Sequence, residues 1–393
     1  MKILYINECI NRIDGSSVHA RSIIRELQNK GIVLLTIPNK KILNRTFEPG
    51  GTYRLELSLP VLYREILVFL KSVLKCIYNI ALVSFKIPIF KPDIIMIRTV
   101  PYDFLPLFLN FVGVRKIILE VNAPHYIERE MYYKIQYDKS VHLSLMKKIE
   151  IVSWKSVDAL YVVSNELKEM IEHEVGSCNP IIEVIPNGSD QINIVDVKVN
   201  CDIVKIGYSG SFHKWHGVEL LVEVARKILK ESDRIEFYLI GDGENKKAIE
   251  NIVNNDSLLK DKIKFTGYLT QKEVLDIMVT MDILVAPYLN MEKFYFSPIK
   301  IMEYMACGRA IIASRVGQIS QIIQDGVDGV LIPPGSRDDL VIAIKTLVTN
   351  PEYRLSLGRM ALEKSKEHTW ETVASKILLL TNKINEKNNN IQR

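Results

Sequence analysis

The stretch Tyr295-Phe-Ser-Pro-Ile-Lys-Ile-Met-Glu-Tyr-Met-Ala-Cys-Gly308 concentrates residue types that bind anions and hydroxyls. Ser297 is a favourable N-cap, Pro298 suits the first helical position and Gly308 suits the position just past the end, so a short helix is predicted with both ends written in the sequence. Such an N-terminus directs unsatisfied backbone N–H groups and the positive dipole end at whatever lies above it. Lys300 adds a cation within the first turn. Glu303, about one and a half turns from the cap, is placed to accept hydrogen bonds from hydroxyls. A phosphate at the cap with a polyol beside it describes a nucleotide diphosphate with its ribose. A structural helix with solvated Lys300 and Glu303 accounts for the same residues.

A second anion site is suggested by Gly207-Tyr-Ser-Gly-Ser-Phe-His-Lys-Trp-His-Gly217, a Gly-bounded loop between a strand and a helix that begins at Val218. It offers Gly210, Ser211, His213, Lys214 and His216, with Trp215 as a packing residue. It is neither a Walker A loop nor GxGxxG. Gly241-Asp242-Gly243 follows the next strand and by itself is a weak signal.

These loops need a scaffold. Short β-branched runs alternate with helical patterns, which predicts α/β architecture with parallel sheets covered by helices on both faces. The strands are placed at Lys2–Ile6, Ile32–Ile37, Asp93–Ile97, Lys116–Val121, Ala159–Val163 and Ile181–Ile185, then Val204–Ser209, Ile235–Ile240, Ile263–Thr266, Ile283–Ala286, Ala310–Ala313 and Gly329–Ile332. Two doubly wound halves follow, with an irregular linker from Ser189 to about Asp202. Residues 1–190 form the first domain and 191–370 the second. Residues 371–393 supply a helix over roughly Glu371–Ile384, expected to pack back toward the first domain, and a disordered tail from Lys387.

Length and composition agree with this. At 393 residues, with 48% hydrophobic and 25% charged residues, the chain fits two globular domains and excludes disordered, collagenous and coiled-coil classes. Five cysteines (Cys9, Cys76, Cys178, Cys201, Cys307) lack metal-ligand spacing and fit a reducing cytoplasm. No signal peptide is read in MKILYIN, and residues 58 to 90, interrupted by five charges, are read as too polar for a spanning helix.

The net charge of +5 is uneven, since residues 1–116 hold 17 Lys/Arg against 8 Asp/Glu. Over Val61–Phe85 a helical projection gathers Arg64, Lys71 and Lys75 into one basic stripe on an otherwise apolar segment. Two readings stand: a helix packed on the sheet with a solvated basic face, or a surface helix resting on anionic lipid headgroups.

Taken in order, the segments resemble the family 4-like glycosyltransferases of the GT-B fold across nearly the whole chain. VIPNGSD, GYSGSFHKWHGVELL, LIGDGENKKAIE, FTGYL and SPIKIMEYMACGRAIIASRVG follow the family's order and spacing. MKILYIN with Gly15, KPDIIMIRT, LEVNAP and HTWETVASKIL match more loosely.

The resemblance implies two Rossmann-like doubly wound domains facing across a cleft, the first binding an acceptor and the second a nucleotide sugar. Glu303 becomes the closing glutamate of the family's Glu-x7-Glu motif, on the ribose. Tyr295 stands where the first glutamate belongs. Gly210-Ser211 and His216-Gly217 replace the family's Gly-Arg and Lys-Gly, so contacts to the diphosphate fall to Lys300, Lys214 or His216. Gly241, Tyr268, Ser297, Pro298 and Ile299 complete the donor set, with Gly15 and Ser16 on the acceptor side. Glu120, Asn122 and His125, at a middle strand end, are the candidates for contacting the donor sugar.

No Asp-x-Asp sits at a strand end, so metal-independent transfer is expected, with no cofactor, and the resemblance implies retention of configuration at the anomeric carbon. The expected setting is surface polysaccharide synthesis on a glycan or lipid-linked acceptor, in the cytoplasm or peripheral at the inner membrane face. A GT-B nucleotide-sugar epimerase and a non-catalytic nucleotide-sugar-binding partner are the rivals. No nucleic-acid module is recognised.

Overall fold

The computed structural model describes residues 1–12, 15–38, 61–133, 140–176, 180–192 and 203–391. Most of the expected linker, residues 193–202, lies outside them, as does the Arg64 side chain. The chain divides into two compact units, Met1–Pro186 with Val373–Arg393, and Asn187–Thr372.

Among the described residues each unit holds one six-stranded parallel sheet. The first contains β1 (Lys2–Ile6), β2 (Val33–Ile37), β3 (Ile94–Arg98), β4 (Ile117–Val121), β5 (Ala159–Val162) and β6 (Ile181–Val184), in the order β2-β1-β3-β4-β5-β6. The second contains β7 (Val204–Ser209), β8 (Ile235–Ile240), β9 (Ile263–Gly267), β10 (Ile283–Ala286), β11 (Ala310–Ser314) and β12 (Val330–Ile332), in the order β12-β11-β10-β7-β8-β9. Every strand lies within two residues of its predicted span. Helices cover both faces of each sheet, so central strands such as β4 and β11 are buried at every position and read as unbroken apolar runs.

The order in the second unit is the doubly wound one, with direction reversing between β7 and β10. Ligands of open parallel sheets bind beyond the strand ends at that reversal. The loop after β7 and the helix Ile299–Ala306 after β10 are therefore neighbours by topology. In the first unit the reversal lies between β1 and β3.

Two helices differ from expectation. The closing helix runs Trp370–Ile391, through the segment expected to be disordered. In the first unit its Lys383 pairs with Glu183 of β6. The helix Val61–Phe90 contains, over Glu65–Phe90, a stretch long and apolar enough to cross a membrane, with no more than two charged residues in its 18-residue window and 11% of that window buried. This corrects the expectation that residues 58 to 90 are too polar. The charges sit mainly in the first half and leave the second nearly free of them.

Candidate functional site

At the switch point of the second unit, β7 ends in Tyr208-Ser209 and turns at Gly210. The Ser209 amide donates to the Tyr304 hydroxyl at 2.8 Å, which ties the strand end to the helix after β10. Gly210 has φ +138°, and a Cβ there would stand 2.7 Å from Lys300 Nζ, so the absent side chain is what lets the lysine lie against the turn. The next loop nests on this one, because a Cβ at Gly241, φ +127°, would strike Gly210 O at 2.1 Å.

Lys300 Nζ lies 4.4 Å from the centre of the Tyr208 ring and 5.2 Å from that of Tyr288, and donates to the Tyr208 hydroxyl at 3.2 Å. Two aromatic faces attract the cation. Burial nonetheless lowers its pKa to about 7, against a smaller opposing pull from Glu303. One turn further along, the Glu303 carboxylate accepts from Gln271 Nε2 at 3.2 Å, and burial raises its pKa to about 7. An ammonium aimed at the turn and a carboxylate beside it can take a diphosphate and a pair of hydroxyls.

The caps differ from the sequence reading. The helix starts at Ile299 with Pro298 at the cap and no side-chain cap bond. Ser297 Oγ instead accepts from the Asn187 amide at 3.0 Å, and Asn187 Nδ2 donates to Ser297 O at 2.6 Å. Gly308, with φ +61°, closes the helix as expected.

His216 is no cation here. Its Nδ1 donates to Ser211 O at 2.6 Å, and burial, with Lys300 nearby, holds its pKa down to about 2. It shapes the loop as a neutral imidazole. Lys214 is exposed, His213 stacks on Trp215 with ring centres 4.5 Å apart, and Tyr268 is 52% exposed. Tyr295 is 1% exposed, its ring packed on Phe296.

In the first unit, Glu120 is the next-to-last residue of β4 and has no exposed surface. It accepts from the Tyr5 hydroxyl, from Arg98 Nη1 at 2.5 Å and Asn122 Nδ2 at 2.7 Å, and its Oε1 lies 2.8 Å from His19 Nε2. Burial alone would raise its pKa, but His19 and Arg98 outweigh it and hold the carboxyl far below the usual range. A carboxylate so enclosed positions Asn122 and Arg98 and offers no face to a substrate, which corrects its place among the sugar-contacting candidates.

Asn122 and His125 are partly exposed. His125 Nδ1 is 3.3 Å from Glu128, and its backbone N–H donates to Glu150 at 2.9 Å. Burial works against the charged imidazole, but the bond to Glu128 and the Glu150 charge raise its pKa overall. Gly15 and Ser16 open the helix Gly15–Asn29, Gly15 exposed and Ser16 half-buried. Among the described residues no group of three His, Cys, Asp or Glu side chains gathers as metal ligands would.

Tyr208, Tyr288, Gln271 and Asn187 were not singled out from sequence. Tyr208 stands two residues before Gly210 and Asn187 lies within VIPNGSD, so both sat inside segments already marked. Gln271 and Tyr288 carried no such signal.

Two Rossmann-like units, each built on a six-stranded parallel sheet with a topological switch point, define the GT-B class of fold. The profile for "Glycosyl transferases group 1" matches residues 204–350, and that for "Glycosyltransferase Family 4" matches residues 13–191. The chain belongs to the family 4-like, group 1 glycosyltransferases. It is 35% identical over 164 residues to the uncharacterized glycosyltransferase MJ1178 of Methanocaldococcus jannaschii, 42% of this chain and 44% of that one. It is 24% identical over 154 residues to the alpha-D-kanosaminyltransferase of Streptomyces kanamyceticus, 39% of each chain. The matched stretch thus spans less than half the length of these two relatives. Among solved structures, sucrose-phosphate synthase from Thermosynechococcus elongatus superposes with a TM-score of 0.72 at 17% identity, covering 98% of this chain and 100% of that one. HepE of Anabaena, solved with UDP, gives 0.66 at 15% identity, covering 96% and 98%.

Proposed function

We propose that this chain moves a sugar from a nucleotide diphosphate sugar to a hydroxyl of a glycan or lipid-linked glycan acceptor, with retention at the anomeric carbon and without a metal ion, in surface polysaccharide synthesis. The observation that carries the reading is the placement of Lys300 against Gly210 at the switch point, with Glu303 one turn beyond. The diphosphate lies along the N-terminus of the helix Ile299–Ala306 and on Lys300, and Glu303, held by Gln271, takes the ribose hydroxyls. In the transfer, the bond from the anomeric carbon to the diphosphate oxygen breaks and its electron pair leaves with the diphosphate. The acceptor oxygen bonds on the same face, and its proton passes to the leaving phosphate. Lys300 and the helix end stabilise the charge that develops there. Asn122 and His125, with Gly15 and Ser16, serve the acceptor side.

HepE was solved with UDP-glucose, so uridine nucleotides head the trial panel. Thermal-shift screening against nucleotide diphosphates and their sugars identifies the donor, since a ligand at 100 times its Kd stabilises by about 2.7 kcal/mol. Turnover is then followed with and without EDTA on a pool of lipid-linked glycans. Activity that survives EDTA supports the reading. Activity lost to EDTA and restored by Mg²⁺ or Mn²⁺ removes its metal-independent part. Buried Tyr295, where the family carries an acid, favours a second reading, a nucleotide-sugar-binding partner without turnover. Tight donor binding with no transfer to any acceptor selects it.

A further inference from the structure

The helix Val61–Phe90 turns two different faces to its surroundings. Along one side it is fastened to the first unit: Glu65 is buried and accepts from Arg129 at 3.4 Å, Phe69 meets the Tyr102 ring edge-on at 5.1 Å, and Cys76 and Val83 are buried. On the other side Leu70, Leu74, Ile77 and Phe85 are 51%, 67%, 58% and 65% exposed. At about 100° per residue these four, with Ile66 and Ala81, fall in an arc of roughly 100°, centred away from the fastened side. The arc runs the length of a helix about 45 Å long. A continuous exposed apolar strip of this size on a globular unit is an interaction surface.

The edge of the strip identifies what covers it. Lys71, Lys75 and Lys86 follow the arc on one flank. Lys75 reaches Glu8 at 2.5 Å, and the helix's single acid, Glu65, is buried on the opposite side. An apolar strip bordered by lysines and by no acid of its own helix is complementary to acyl chains beneath anionic headgroups. We infer that the first unit docks on an anionic bilayer through this helix, which lies in the membrane plane with its apolar arc among the acyl chains and its lysine flank on the lipid phosphates. Fastening along the far side keeps the helix in plane. The apolar arc supplies most of the binding, and the basic stripe supplies the lipid preference. The inference does not rest on the sugar-transfer reading.

The test is flotation of the full chain with phosphatidylcholine vesicles, with and without phosphatidylglycerol at about 30%. The parent is expected to float with the anionic vesicles and to release partly at high salt. The triple change Leu70→Ser, Leu74→Ser, Ile77→Ser is expected to weaken partitioning by roughly tenfold for each leucine that would have been buried. Lys71→Glu with Lys86→Glu is expected to abolish the preference for phosphatidylglycerol. The exposed positions tolerate these changes, and circular dichroism with an unchanged thermal-unfolding profile of the full chain verifies folding. The single change Leu74→Glu repeats the test with less perturbation. Four results would overturn the inference. The parent stays with the pellet in both vesicle types, or the serine variant floats like the parent. Alternatively, gel filtration shows a dimer that the serine variant splits, making a second copy the occupant. Resistance to alkaline carbonate would overturn the in-plane placement by showing a helix that spans.

Discussion

Lys300 lies across the Tyr208 ring with its Nζ 4.4 Å from the ring centre, at the spot where a Cβ on Gly210 would come within 2.7 Å of it. The glycine and the lysine therefore share one volume. Gly210→Ala is expected to push the ammonium off the turn and to strain a backbone at φ +138°, a cost of about 1–3 kcal/mol. Calorimetric titration should show roughly tenfold weaker nucleotide binding, a loss of about 1.4 kcal/mol. Affinity equal to the parent's would separate Lys300 from the phosphate.

The lowered pKa of Lys300, about 7, gives binding a proton signature. At pH 8 the group is mostly neutral before binding, and a diphosphate beside it raises its pKa, so binding takes up a proton. Titrations in buffers of different ionisation enthalpy should show this uptake in the parent and its absence in Lys300→Gln. As pH rises above 7, the parent's affinity should fall and the variant's should not.

Asp103, in the first unit, is pushed up to about 7 by burial, although its carboxylate accepts from the Leu105 amide at 3.1 Å. With the folded pKa above the unfolded one, its stabilising contribution is complete below pH 4 and is lost as pH rises through 7. Asp103→Asn keeps the acceptor and removes the titration. The variant should exceed the parent in stability at pH 8 by about 1–3 kcal/mol, with the gap shrinking toward pH 5 in thermal unfolding.

Glu120→Gln is expected to destabilise the first unit by about 3–5 kcal/mol, because it leaves Arg98 and His19 without their shared carboxylate. Nucleotide binding by the second unit should be unchanged in the folded variant. Unaltered stability would show that Glu120 does not hold this cluster together.

The strands were legible because parallel strands covered on both faces must be apolar at nearly every position, as in Ile117–Val121 and Ala310–Ser314. Strand order was not written in any one segment, and the adjacency of Gly210 to the helix Ile299–Ala306 comes from the reversal between β7 and β10. The same distance in sequence misled the reading of Ser297. Its hydroxyl looks like a local cap, yet Asn187, 110 residues earlier, occupies it. His216 read as a donor to phosphate because its type allows a charge, whereas its burial against Ser211 O does not. In Val61–Phe90 the basic stripe of Arg64, Lys71 and Lys75 was visible from spacing alone. Which apolar residues face outward depends on where Glu65, Cys76 and Val83 attach, and that is decided by the fold.

Glu303 is where the donor-site reading is most directly exposed to test. Its carboxylate, raised to about 7 by burial, is ionised at pH 8 and free to accept from ribose hydroxyls. Calorimetric titration at pH 8 of the parent and Glu303→Ala, with the nucleotide that ranks first in the thermal-shift panel, measures that contact. Loss of a charge-assisted hydrogen bond worth roughly 1.5–3 kcal/mol should weaken binding about 10- to 150-fold, with the fold intact by circular dichroism. Equal affinities for parent and variant would contradict the placement of the nucleotide at this switch point.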